Sequence, residues 1–139
     1  FVCDMYDIPS NVREQNIKRF AKMFDIENEL NNTIKSFSHG MKQKIALISA
    51  LSHEPKALIM DEPFVGLDPK AIYDMKSVMK ELAKQGGTIF FSTHILDVAE
   101  KLCDRVAIVK KGKIIKVGDM KKVRGDTSLE KVFLELEAK

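Results

Sequence analysis

The chain has no tryptophan, only two cysteines and four prolines among its 139 residues, and no apolar run approaching the ~20 residues that span a bilayer. Cys3 and Cys103 stand alone, without C-x-x-C spacing and without a histidine at ligand spacing. That argues against a disulfide framework and a thiolate metal site, and both read as small apolar residues of a reducing compartment. No signal peptide is visible. A phosphate loop of the form G-x-x-x-x-G-K-[ST] occurs nowhere, which excludes that backbone cradle for phosphates from these residues. The first residue is not methionine, and Phe1 reads as a fragment boundary.

What is present is ordinary for a globular domain: 45% hydrophobic and 31% charged residues, enough length to bury a core, and no low-complexity segment or repeat. A net charge of +3 is too small to imply a nucleic-acid binder. The charge is uneven. Lys110, Lys111, Lys113, Lys116, Lys121, Lys122 and Arg124 face the single acid Asp119 across one short stretch. Such a stretch suits anionic headgroups or an acidic partner, but a solvated edge hairpin whose lysines discourage edge pairing is the simpler reading.

Along the chain, residues 1–7 read as a helix end stopped by Ile8-Pro9. Ser10 or Asn11, the latter with Glu14 three residues on, marks a second helix whose apolar face carries Val12, Ile17, Phe20, Ala21 and Phe24. Residues 25–32 read as a polar connection. Ser38 caps a long helix over about 40–52, ended by His53-Glu54-Pro55. Residues 57–60 form a strand apolar on both faces, as in a covered parallel sheet. Asp68-Pro69 is a cap followed by proline at the first helical position, opening a helix to about Lys84 that Gly86-Gly87 terminates. Strands follow at 88–92, 105–110 and 113–117, with a short helix at 95–102 and a turn at Lys111-Gly112. Thr127, with Glu130, caps a last helix carrying Leu129, Val132, Phe133 and Leu136. Strand, helix, strand, helix, strand predicts right-handed crossovers and an α/β fold with a parallel sheet.

Four short motifs follow one another in fixed order. Ser36-Phe37-Ser38-His39-Gly40-Met41-Lys42-Gln43-Lys44 places a helix N-terminus, with its unsatisfied N–H groups and positive dipole end, toward an anion. Leu58-Ile59-Met60-Asp61-Glu62-Pro63 ends a strand in two carboxylates, where open α/β sheets bind ligands. Asp61 suits magnesium, and Glu62 suits a general base on a water in line with a terminal phosphate. Gly66-Leu67-Asp68-Pro69 is a flexible turn into a capped helix. Ser92-Thr93-His94 ends the next strand.

In order and spacing these motifs resemble the second half of an ATP-binding-cassette (ABC) ATPase: signature, Walker B, D-loop and switch histidine. The resemblance covers nearly all of residues 1–139 but only about the latter half of such a domain. It implies a P-loop NTPase-type parallel sheet flanked by helices, preceded by a helical subdomain: 1–52 the helical subdomain, 53–124 the later part of the ATPase core, 125–139 a C-terminal helix. The cofactors implied are ATP and Mg²⁺, with Asp61 on the metal, Glu62 and His94 on the attacking water and terminal phosphate, and Ser38, His39, Gly40, Met41 and Asp68 contacting ATP across a head-to-tail dimer. The signature departs from L-S-G-G-Q at Phe37, His39 and Met41, while Ser38 and Gly40 match; this variant is similar to exporters and resistance transporters with a separate permease. The partners implied are that membrane permease and a second ATPase subunit, in a homodimer or heterodimer, with no nucleic acid, at the cytoplasmic face of the cell membrane.

Two alternatives remain open from the residues. Cassette ATPases acting on ribosomes or DNA are one, although the 22 residues between Ser38 and Asp61 leave no room for a long insertion. A non-catalytic interaction fragment is the other. Lacking the phosphate loop, the adenine-stacking aromatic and the Q-loop glutamine, the isolated chain is expected neither to bind ATP usefully nor to hydrolyse it. Apolar sheet faces are expected to lie bare.

Overall fold

In the computed structural model, which describes residues 1–138, the helices and strands stand close to where their spacing puts them. The chain divides into two compact units, Phe1–Ser92 and Thr93–Lys139.

The first unit begins with α1 (Val2–Met5), closed where Ile8 N–H donates to the Cys3 carbonyl before Pro9. Helix α2 (Ser10–Met23) buries Phe20 and Ala21, with Phe24 just beyond its end also buried and Val12 and Ile17 half-buried. Neither Ser10 nor Asn11 caps it. Pro9 holds the cap position, its fixed φ of −54° and extended ψ leading straight into the helix, and no side chain bonds the first turn. The segment read as a polar connection contains a 3₁₀ turn, Glu27–Glu29, and buries Ile26 almost completely.

A second 3₁₀ turn, Ile34–Ser36, leads into α3 (His39–Leu51), where the Ser38 hydroxyl accepts from Met41 N–H at 3.2 Å. Helices α2 and α3 pack together. Buried Asn16 joins α2 to the end of α3, donating to the Ser52 carbonyl at 3.0 Å and to Glu54 Oε1 at 3.1 Å.

Strand β1 (Ala57–Met60) pairs in parallel with β2 (Thr88–Phe91), Ala57 opposite Thr88 and Met60 opposite Phe91. Between them runs α4 (Pro69–Lys84), with Asp68 at its N-cap and Ala71, Met75, Val78 and Met79 buried. Of the two expectations for this sheet, cover of β1 on both faces fails among the described residues and a bare apolar face is found. Leu58 is buried, but Ile59 and its register partner Phe90 are 80% and 65% exposed.

In the second unit α5 (Leu96–Leu102) is followed by β3 (Arg105–Lys110) and β4 (Lys113–Asp119). These two strands form an antiparallel hairpin, a separate sheet, so the parallel sheet has two strands among the described residues rather than the three expected. The cause is local. Lys111 and Gly112 both take positive φ, 49° and 74°, which suits a two-residue turn whose twist matches the strands it joins.

A short helix, α6 (Met120–Arg124), follows that the sequence pattern did not reveal, and then α7 (Leu129–Glu137). The α7 cap is Ser128, accepting from Lys131 N–H at 3.2 Å, and not Thr127. The Thr127 hydroxyl is spent on the Arg124 carbonyl instead, at 3.0 Å. Ala99, Ile108, Met120, Val123, Leu129 and Val132 make the core of this unit.

The basic stretch is a hairpin, as its simpler reading held, only through Lys116; Lys121, Lys122 and Arg124 lie in α6, and some of the lysines are structural. Lys110 Nζ donates to the Leu136 and Glu137 carbonyls at the end of α7, and Lys116 Nζ to the Val123 carbonyl in α6. Cations placed on orphan helix-end carbonyls in this way satisfy both hydrogen bonding and dipole.

Candidate functional site

Asp61 and Glu62 leave the carboxyl end of β1 at the point where the chain turns. Glu62 adopts φ +45°, a left-handed conformation that costs a residue with a Cβ about 1–2 kcal/mol. Strain of this kind persists only where neighbours fix it, and it clusters at working sites. One fixing contact comes from Ser92 at the end of β2: its hydroxyl donates to Asp61 Oδ1 and accepts from Glu62 N–H at 3.1 Å. A single hydroxyl from the adjacent strand thus orients both carboxylate residues. The sequence offered no cue for this, because it depends on the parallel register that sets Met60 beside Phe91.

One carboxylate oxygen of Glu62 is buried, while Asp61 is exposed. Pro63 and Phe64 turn inward, the Phe64 ring meeting Phe91 edge-on at 5.6 Å between centroids. Phe64 thus packs inside, whereas Val65 is 41% exposed.

The segment from Asp61 to Asp68 lies against the start of α3. A Cβ at Gly40 would stand 2.7 Å from the Gly66 carbonyl oxygen, so the space left by this glycine is already filled by backbone of the same chain. Gly66, at φ +79°, has the His39 imidazole on its other side, 2.7 Å from where its own Cβ would sit. Met41 contributes its backbone N–H to the Ser38 cap.

Asp68 Oδ1 accepts from Ala71 N–H at 2.8 Å, capping α4, while Oδ2 pairs with Lys44 Nζ at 2.8 Å. Lys44 and then the Ala71 N–H hold the Asp68 carboxyl below its ordinary value. The fold thus gathers Ser38, His39, Gly40, Met41, Asp61, Glu62 and Asp68 into the first unit. His94 opens the second, in the turn before α5 where Thr93 Oγ1 accepts from Ile95 N–H. The sequence reading gave no site role to Ser92, Lys44 or Gln43, although all three lie inside its motifs.

No cluster of three or more His, Cys, Asp or Glu side chains that could hold a metal occurs among the described residues. Magnesium keeps several waters and takes one or two carboxylates plus substrate phosphates. Asp61, exposed and beside the Ser92 hydroxyl, offers such hard oxygens.

A family model described as "AAA domain, putative AbiEii toxin, Type IV TA system" matches residues 4–99. The chain belongs to this AAA-domain family. Its curated relatives include ABC transporter ATP-binding proteins. The ABC-type transporter ATP-binding protein EcsA of Bacillus subtilis is 36% identical over 94% of this chain and 55% of its own length. An uncharacterized ABC transporter ATP-binding protein of Nostoc is 32% identical over 87% of this chain and 37% of its own. The linearmycin resistance ATP-binding protein LnrL of Bacillus subtilis is 31% identical over 91% and 42%. A solved structure of the ATP-binding subunit of an ABC transporter superposes with a TM-score of 0.92 at 33% identity, over 98% of this chain and 59% of that one.

The chain is thus an ABC ATPase segment with a P-loop NTPase-type fold, spanning between about a third and just over half the length of these relatives.

Proposed function

We propose that the protein carrying this chain is the ATP-hydrolysing subunit of an ABC transporter, working as an exporter with a separate membrane permease. The observation that carries the reading is the pair Asp61-Glu62 at the end of β1, fixed by Ser92 and braced against a helix N-terminus. Asp61 would hold Mg²⁺, which when bound offsets charge on the phosphates. Glu62 takes the proton of the attacking water, and its constrained backbone limits where that carboxylate can point. His94 hydrogen-bonds the terminal phosphate.

Ser38, His39, Gly40 and Met41 present the start of α3 to ATP held by a second subunit, with Asp68 near the dimer contact. That subunit is another copy or a relative bearing the same motifs. In this reading residues 1–52 are the helical subdomain, 53–124 the later part of the core and 125–139 a C-terminal helix. Placement at the cytoplasmic face of the cell membrane follows from the permease partner; no helix of the described residues is long and apolar enough to cross a membrane. Export is supported by the S-x-G-M-x-Q-K signature and by the likeness to a resistance protein.

A chain that binds ATP but cannot use it should stay paired. In the protein at its natural length, Glu62→Gln is expected to associate with its second subunit in ATP and Mg²⁺ and not in ADP, as sedimentation reads it. Adding Ser38→Arg should abolish that association. Indifference of association to ATP would remove the head-to-tail arrangement.

A further inference from the structure

The first turns of α3 do more than present a helix end. Three successive positions of one face reach the segment 61–68. Gly40 meets the Gly66 carbonyl, Gln43 Nε2 donates to the Pro63 carbonyl at 3.5 Å, and Lys44 pairs with Asp68 at 2.8 Å. The spacing 40, 43, 44 is that of one helical face. Lys44 is mostly buried (15% side-chain exposure) while Asp68 is half exposed, so the pair is partly shielded from solvent. Asp68 is already satisfied as a helix cap through Ala71, so the lysine is not needed to start α4. Its added effect is to tie the cap of α4 to α3, across the turn that begins at strained Glu62.

We propose that Lys44 is a positioning residue, clamping the Asp61–Asp68 segment to α3 so that Glu62 and Asp68 are held in place for hydrolysis. This rests on the reading of Glu62 as the base. The lysine pairs with Asp68 and acts through it and the turn that leads back to Glu62. Asp68 carries its charge from well below neutral pH, because Lys44 and the Ala71 N–H lower its pKa, so the clamp is set throughout the physiological range.

The test uses the protein at its natural length. Lys44→Met keeps the stem and removes the charge; it is expected to lower kcat for ATP by about ten- to a hundredfold, the scale of misplaced catalytic groups, with KM little changed. Lys44→Arg should recover most of the rate. Lys44→Met combined with Asp68→Asn, which keeps an N-cap side chain, should be little worse than the worse single variant. Backbone hydrogen exchange over residues 62–67 should quicken in Lys44→Met and not in the exposed neighbour variant Lys42→Met. Wild-type kcat and unmoved exchange in Lys44→Met, while Glu62→Gln abolishes turnover, would overturn the clamp and leave the function standing. Should the wild type hydrolyse nothing, the proposed function fails and the role of Lys44 in hydrolysis falls with it; unchanged exchange in Lys44→Met would overturn its hold on the segment as well.

Discussion

Gly40 stands where two stretches of backbone meet, and the Gly66 oxygen occupies the room a side chain would take. A glycine in the first turn of a helix that faces a phosphate is easily explained by the ligand alone. The structure adds an intramolecular reason, and it makes a prediction that needs no nucleotide. Gly40→Ala should lower stability by about 1–3 kcal/mol, the range for forcing atoms into a filled space, as urea unfolding would show. Unchanged stability would mean that α3 and the 61–68 turn separate freely. Ser38 and Asp68 were legible in the sequence because a cap is a local event: the side chain bonds a backbone N–H three residues on, and the spacing shows it. Ser92 and Lys44 were not, since their partners lie 31 and 24 positions away, as 92 − 61 and 68 − 44 give, and only the fold brings them near.

Among elements, α4 was legible to the residue and α3 to within one from cap and apolar face, and β1 to the residue from its unbroken apolar run. The short helix α6 was not. It has five residues, too few for a helical period, and it is held by burial of Met120 and Val123. Thr127 and Ser128 both precede α7, and the choice between them was set by the Arg124 carbonyl, which claims the threonine. Helix α7 has a second anchor: Glu100 of α5 accepts from Leu129 N–H at 2.7 Å and pairs with Arg124 at 2.7 Å. Those two, the Leu129 N–H first, hold the Glu100 carboxyl below its usual 4.5. A depressed carboxylate contributes stability that is full above the unfolded value and lost as pH falls through the folded one. Acidification below about pH 4.5 should therefore lower the protection against hydrogen exchange at the start of α7, measured relative to the intrinsic rate at each pH, and Glu100→Gln should show that low protection already at pH 7. Exchange in α7 equal in both proteins at pH 7 would show that apolar packing alone docks the helix.

For the whole molecule, fold class and family were within reach of four short motifs, because order and spacing carry more than any motif singly. The sheet was harder. Its apolar strands suggested cover on both faces, yet Ile59 and Phe90 form an exposed apolar pair on one of them. Strand composition records what a face prefers to touch, and the described residues bury only the Leu58 side. Relatives about twice this length or longer share the matched region, so turnover is best sought in the protein at its natural length. The measurement that bears most directly on the proposed function is steady-state ATP turnover with Mg²⁺ by that protein, wild type against Glu62→Gln. The prediction is a loss of about 10²–10⁴-fold, the reach of a general base, with ATP still bound, while the isolated 139-residue chain turns over nothing. Turnover that survives Glu62→Gln, or steady turnover by the isolated chain that this substitution abolishes, would contradict it.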